Sequence, residues 1–329
     1  MIDVDGHNFP SLPLMKISAW HKAKGDSVEW YYPLLSGHLD RVYLSKVFSF
    51  TADYQYYIDA DEVIKGGSGY AIQNIDGIEK YDKSKDINLP EEIEHIYPDY
   101  SLYGKLTENT AYGFLSRGCP RGCNFCHVKS KEGGRAYKVA DLNEFWRGQK
   151  EIKLLDPNIL ACPEAIDLLQ QLADSKAAVD ITQGLDARLL TPEKIEIIKQ
   201  IKIKMIHFAW DRPQDEKYIV PKLKEFKEAT GIRERDLTVY VLTNFGSSLE
   251  EDLHRVYTIR DIGMAPYIMV YDKENAPQEI KDLQRWVNNR TIWYKDPKAK
   301  FEDYKRRHKY GTMRSTGLQI TRTKTSHSI

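Results

Sequence analysis

Residues 119–126 read Cys119-Pro-Arg-Gly-Cys-Asn-Phe-Cys126, and three of the four cysteines of the 329-residue chain fall in this stretch. The thiols are spaced four and then three residues apart. A structural zinc site uses four tetrahedral ligands, usually as two pairs separated by a loop. Here there is one compact triplet. His127 or the distant Cys162 would complete a zinc site. Soft thiolates equally suit an iron–sulfur cluster, and three thiolates on a four-iron cluster leave one iron open to a ligand. Gly118 and Gly122 permit turns that bring backbone amides near sulfur, and Phe125 is placed to shield the site.

The sequence around this loop is strongly patterned. "AYGFLSRG" (111–118) is a strand running into the cysteines. Strand-like runs then alternate with helical ones: "EIKLLDPNIL" with "PEAIDLLQQLADSK", "AAVDITQG" with "TPEKIEIIKQI", and "KMIHFAWD" with "EKYIVPKLKEFKEATG". "DLTVYVLTNFG" with "SLEEDLHRVYTIRDIG", and "APYIMVYD" with "PQEIKDLQRWVNN", complete the series. Pro163 opens one helix, Thr191 caps the next, and Pro221 shortens or kinks a third. With "DLNEFWRGQK" as the first helix there are six strand-then-helix units. They predict a parallel sheet, too small for a closed eightfold barrel, with chemistry at the strand ends.

Residues 1–104 read as a smaller α/β domain. "LPLMKISAWHKAKG" carries Leu14, Ile17 and Trp20 on one helical face and stops on Gly25. Strand-like runs are "RVYLSKVFSF", "EVIKGG" and "YAIQNI". A polar stretch from 82 to 110 reads as the linker into residues 105–295, and residues 296–329 as a basic tail. From Tyr304 onward there are seven Lys or Arg and no acidic residue.

Composition narrows the class. The chain is 41% hydrophobic and 29% charged, with 48 basic and 48 acidic residues. That balance is globular and gives no overall pull to nucleic acid or membrane. The longest apolar runs are far short of a membrane span. The N-terminus lacks the pattern of a secretory signal, so a cytoplasmic location is expected, where clustered cysteines mean metal or redox chemistry.

C-x-x-x-C-x-x-C with an aromatic before the last cysteine, set after the first strand of a βα series, resembles the radical S-adenosylmethionine (SAM) superfamily over about residues 111–295. The resemblance implies a partial (β/α)6 barrel in which Cys119, Cys123 and Cys126 hold a [4Fe–4S] cluster. SAM would bind the open iron by its amino and carboxylate groups. One electron would cleave the sulfonium bond to a 5′-deoxyadenosyl radical that abstracts hydrogen from a substrate, here unidentified. It also implies an electron donor of flavodoxin or ferredoxin type.

"TQGLDARLL" (182–190) resembles a segment of radical SAM enzymes that carry an N-terminal cobalamin-binding-like domain. It offers Gln183, Asp186 and Arg188, with Arg188 the candidate for the SAM carboxylate. Asp186 and Arg188 also read as a mutual ion pair. Trp210 and Asp211 follow the next strand, with Asp211 at the position that meets the SAM ribose and Trp210 either a pocket wall or a core aromatic. Asn244 stands where the family contacts adenine, and Phe125 beside the cluster. Tyr271 and Asp272 would face substrate. Asp156 and Asn158 follow the second strand, and Asp156 also suits a turn before Pro157. Cys162, His127 and His207 read as structural.

The N-terminal domain resembles the Rossmann-like cobalamin domain. However, Asp5-Gly-His7 is not followed by the glycine of a D-x-H-x-x-G motif, so cobalamin binding is not expected. Gly66, Gly67 and Gly69 read as a turn or a phosphate approach. Two other readings remain. One is a radical SAM methyl- or methylthio-transferase on RNA held by the tail 304–329, with sulfur insertion disfavoured by the lack of a second cysteine triplet. The other is a zinc-stabilised nucleic-acid-binding module.

Overall fold

A computed structural model describes residues 1–304 apart from 7, 76–77 and 297. The basic tail beyond Tyr304, with its RNA reading, and His7 lie outside the described residues.

The first part of the chain builds β1 (Ile2–Asp3), α1 (Leu12–Ala23), β2 (Leu39–Ser45) and β3 (Ala60–Gly66), with the strands parallel in the order β1-β2-β3. Helix α1 starts where the Ser11 hydroxyl accepts from Leu14 N and Pro13 occupies the first turn. Leu14 and Ile17 pack with Ile93, Trp20 and Tyr43. Between β2 and β3 no crossover helix forms. Tyr54 and Ile58 of that loop pack instead on Val42 and Leu44. The Rossmann-like expectation is therefore met only by three parallel strands and one crossover helix. The run "YAIQNI" divides into α2 (Ser68–Ala71) and β4 (Ile72–Ile75), and β4 forms an antiparallel hairpin with β5 (Ile78–Tyr81). Gly67 has φ 100°, and a Cβ there would lie 2.3 Å from the Lys46 carbonyl oxygen. Close backbone approach explains this glycine without a ligand.

The predicted linker is a packed connector. It contains α3 (Glu91–Glu94) and a 3-10 segment, Tyr100–Leu106. Asp99 accepts from Ser18 Oγ at 2.6 Å and Lys22 Nζ at 2.7 Å, and Trp30 Nε1 donates to Leu102 O at 3.0 Å. On its other side Tyr100 Oη donates to Phe145 O at 2.7 Å. These bonds tie the first sheet to the second.

The second part runs β6 (Thr110–Gly113), β7 (Ser116–Arg117), α4 (Val128–Glu132), β8 (Tyr137–Lys138), β9 (Glu151–Leu154), α5 (Ala165–Ser175) and β10 (Ala178–Leu185). It continues with α6 (Pro192–Ile198), β11 (Ile203–Ala209), α7 (Glu216–Thr230), β12 (Leu237–Thr243), α8 (Leu249–Asp261), β13 (Ala265–Val270), α9 (Gln278–Asn288) and α10 (Arg290–Trp293). Six strands form one sheet in the order β13-β12-β11-β10-β9-β6, and every pair is parallel. Strands laid down in chain order by right-handed crossovers place their helices on one face. Ile181, Phe208, Val239 and Ile268 fill that face against Leu172, Leu223, Val256 and Leu283. Each such buried side chain contributes roughly 1.5–3 kcal/mol.

Three local expectations change. "AYGFLSRG" is broken, because β6 joins the main sheet while β7 pairs antiparallel with β8. "DLNEFWRGQK" yields only a 3-10 turn, Leu142–Glu144, and the helix of this crossover is α4, directly after the cysteines. Pro163 precedes the cap of α5 at Glu164, and α7 continues through Pro221 to Thr230.

The opposite face of the sheet is polar. Tyr112, Lys153 and Asp180 stand side by side in register. His207 stacks on Tyr240 at 4.9 Å, with its Nε2 3.8 Å from Asp180 Oδ1. Burial, with a smaller effect of Arg290, pushes the His207 imidazole down to about 4. A histidine held neutral in the fold but ionisable when unfolded contributes stability that is present above about 6.5 and is lost as pH falls toward 4. Burial raises the Asp180 carboxyl, which opposes this trend. His207→Gln should therefore flatten the acid limb of stability between pH 6.5 and 4, by at most about 3 kcal/mol. Urea midpoints across that range test this. Equal slopes for both proteins would contradict it.

Candidate functional site

The carboxyl ends of the six parallel strands carry the chain's polar loops, and the cysteine loop is the longest of them. Its entry is fixed by Asp156, at the end of β9. Asp156 accepts from Leu115 N at 2.9 Å, Ser116 N at 2.5 Å and Ser116 Oγ at 2.6 Å, all in the interior. Complete burial pushes its carboxyl up to about 7, against these three donors, which favour the anion. Asp156 thus shapes the turn after β6 as well as its own. Next, Glu132 accepts from Gly118 N at 3.0 Å and pairs with Arg117 at 3.1 Å. Gly118 has φ 80°, and a Cβ there would lie 2.0 Å from the Arg135 carbonyl oxygen, so only glycine fits.

Cys119 and Cys123 are half-buried and Cys126 is exposed. Burial raises the Cys123 thiol, and the charges of Asp211, Cys126 and Cys119 raise it further. Neither alternative fourth ligand joins the three thiols. Cys162 is buried and its Sγ lies 3.1 Å from Glu164 Oε2, while the His127 ring lies 3.3 Å from Glu79. Among the described residues no three His, Cys, Asp or Glu side chains close to the spacing of a single ion. Soft thiolates of this kind would suit an iron–sulfur cluster as well as zinc.

A chain of charges links the cysteine loop to the next two strand ends. Arg121, inside the loop, pairs with buried Asp186. Asp186 also accepts from Arg188 Nε at 2.7 Å, and Arg188 Nη1 reaches Asp215 at 3.0 Å. The ion-pair reading of Asp186 and Arg188 is the arrangement present. Gln183 is exposed. Trp210, weighed as a pocket wall, is fully buried in the main core, and its indole N–H donates to Arg212 O at 2.9 Å. Burial raises the Asp211 carboxyl to about 6, and its charge is among those that raise the Cys123 thiol.

Asn244 has φ 59°, and its Nδ2 donates to Tyr271 O at 2.8 Å, joining the ends of β12 and β13. Phe125 packs edge-on against Phe245 at 5.5 Å, and Phe245 against Tyr271 at 4.7 Å. Asp272 is the only other residue near these ends with a left-handed backbone, at φ 45° among the described non-glycine residues. Asn158 is buried and its Nδ2 lies 3.8 Å from Cys119 Sγ.

No protein-family model matches the chain, and no curated protein matches it. Solved structures of SuiB from Streptococcus suis are similar to it. SuiB alone has 15% identity and a TM-score of 0.34, over 44% of this chain and 36% of that one. SuiB bound to its precursor peptide SuiA has 12% identity and a TM-score of 0.39, over 66% and 54%. SuiB bound to S-adenosylmethionine has 13% identity and a TM-score of 0.38, over 66% and 53%. The chain spans about half the length of SuiB, or less, in these matches. Among the described residues no helix is long and apolar enough to cross a membrane.

Sequence reasoning missed two of the residues that hold the strand ends, Arg255 and Arg121. Arg255, on α8, is fully buried. Its Nη1 donates to Trp210 O at 2.8 Å and Asp211 O at 3.0 Å, its Nη2 donates to Leu242 O at 2.8 Å, and it pairs with buried Asp252. In "EEDLHRVY" these charges look like an exposed helical face, and only the absence of a better apolar residue in the stripe hinted otherwise. Arg121 was not singled out in the sequence, and neither was its pairing with Asp186. Arg255→Ala leaves Asp252 buried without its partner and three carbonyls without a donor. It should destabilise the fold by about 3–5 kcal/mol, read as a shifted urea midpoint. A change under about 1 kcal/mol would show that water replaces the guanidinium.

Proposed function

We propose that the chain is a radical SAM enzyme in which Cys119, Cys123 and Cys126 hold a [4Fe–4S] cluster at the mouth of a partial (β/α)6 barrel. The observation that carries this reading is the placement of a three-thiol loop, with Cys162 and His127 paired elsewhere, at the carboxyl end of the first strand of a parallel sheet laid down in chain order. Held by these thiols, such a cluster would supply the one-electron chemistry for reductive cleavage of SAM.

The chain's own residues would position and shield. Arg188, held by Asp186 and Asp215, would be the partner for a carboxylate. Asp211 is the candidate acceptor for ribose hydroxyls, and Asn244 fixes the backbone of the loop that would line adenine. Phe125, Phe245 and Tyr271 form a run of edge-on ring contacts that would help to shield a bound cluster. Trp210 supports Asp211 from the core, and exposed Gln183 is left to meet a ligand from solvent. The substrate, unassigned, would enter over the strand ends, and a one-electron donor is required. Cobalamin is not part of this reading, because Asp5-Gly-His7 is not followed by the glycine of the D-x-H-x-x-G pattern.

The test is anaerobic reconstitution with iron and sulfide, then SAM and dithionite, with 5′-deoxyadenosine as the measured product. The expected result is its formation, and loss by at least about 100-fold in Cys119→Ala, Cys123→Ala and Cys126→Ala, since each removes a cluster ligand. Tightly bound zinc with no cluster would refute the proposal and favour a zinc-stabilised binding module.

A further inference from the structure

Asn158 stands out among the buried polar residues of the second sheet. It follows β9 in the segment Asp156-Pro157-Asn158, and its side chain is almost wholly buried, at 2% exposure. Its Nδ2 lies 3.8 Å from Cys119 Sγ, within hydrogen-bond range for sulfur. Its Oδ1 is buried with no hydrogen-bond partner among the described residues. A carboxamide that satisfies one end and leaves the other bare is a poor choice for packing. Leucine would fill the same space without an orphaned acceptor. The end that is satisfied is the one on the sulfur. Its orientation follows from charge, because an oxygen turned toward a thiolate would repel it, whereas an N–H donates to it.

Two further contacts fix this geometry. Asp156, two residues earlier, grips Leu115 and Ser116 on the cysteine strand. Ala161 N donates to Asn158 O at 3.0 Å, closing the turn on its other side. Asn158 and Cys119 are thus both mounted on the same clamped pair of strand ends.

We infer that Asn158 is a positioning residue that donates a hydrogen bond to the Cys119 sulfur and so raises the reduction potential of the cluster. The inference rests on the radical SAM reading. A donor to a ligating thiolate withdraws electron density and stabilises the reduced, more negative state, and hydrogen bonds to sulfur are among the features that set cluster potentials.

The experiment is a redox titration of the reconstituted full chain without SAM, followed by the electron paramagnetic resonance signal of the reduced cluster. Asn158→Leu removes the donor and keeps the volume. Asn158→Asp keeps the shape and replaces the donor by an acceptor. Ile159→Val, on the same turn, is the control. The expected result is a drop of about tenfold in the reduced-to-oxidised ratio at fixed potential for Asn158→Leu, a shift of about −59 mV for a one-electron couple. Asn158→Asp should shift at least as far, and Ile159→Val should match the parent chain. If Asn158→Leu takes up no cluster, Asn158→Asp carries the test alone. Potentials within twofold of the parent in ratio would overturn the inference while leaving the radical SAM reading intact. A parent chain that binds no cluster overturns both.

Discussion

The buried carboxylate of Asp156 is the constraint on which the site depends. Two adjacent parallel strands, β6 and β9, must end together, and the chain leaving β6 must turn away at once to form the cysteine loop. Leu115 N and Ser116 N are buried there with no strand partner, and Asp156 accepts from both, and from the Ser116 hydroxyl as well. A buried amide without an acceptor would cost about 1–3 kcal/mol, so removing this side chain would release the loop from the sheet. Everything placed on the cysteines, including the contact from Asn158, is referred to that fixed point.

The same problem recurs at each strand end and has the same solution. Parallel strands leave carbonyls and amides unpaired where they end, and polar or charged side chains from the interior or the loops satisfy them. Arg255 does so for β11 and β12, Asn244 for β12 and β13, and Asp186 for the turn after β10, where it accepts from Arg188 N at 3.1 Å. Arg121 joins Asp186 to the cysteine loop, so the loop is held at its entry by Asp156 and across its middle by an ion pair. Rigidity of this kind suits a cofactor site, where donors must already be in place before the ligand arrives.

The repeated βα pattern was legible because its apolar faces are long and regular. Thr191 caps α6 as read, and Ser248 caps α8 with Glu251 in a reciprocal box. The cysteine triplet and its place after the first strand were legible too. What sequence did not reveal lies where partners are far apart along the chain. Asp156 and Leu115 are separated by 41 positions, and Arg255 and Trp210 by 45, so no local pattern announces them. The first crossover was misassigned because "DLNEFWRGQK" has helical spacing but packs as a turn, with the Phe145 ring 2.3 Å from where a Gly113 Cβ would stand. Between β2 and β3 the sequence shows no helical period and no helix forms, and Tyr54 and Ile58 fill the space by packing.

The central claim is that three cysteines hold a cluster with one iron free for SAM. Its most direct test is a Mössbauer spectrum of the chain reconstituted with isotopically enriched iron, recorded with and without SAM. The account predicts that about one quarter of the iron, the corner without a cysteine, changes its isomer shift when SAM is added, while the rest is unchanged. A spectrum in which no iron responds to SAM would contradict it.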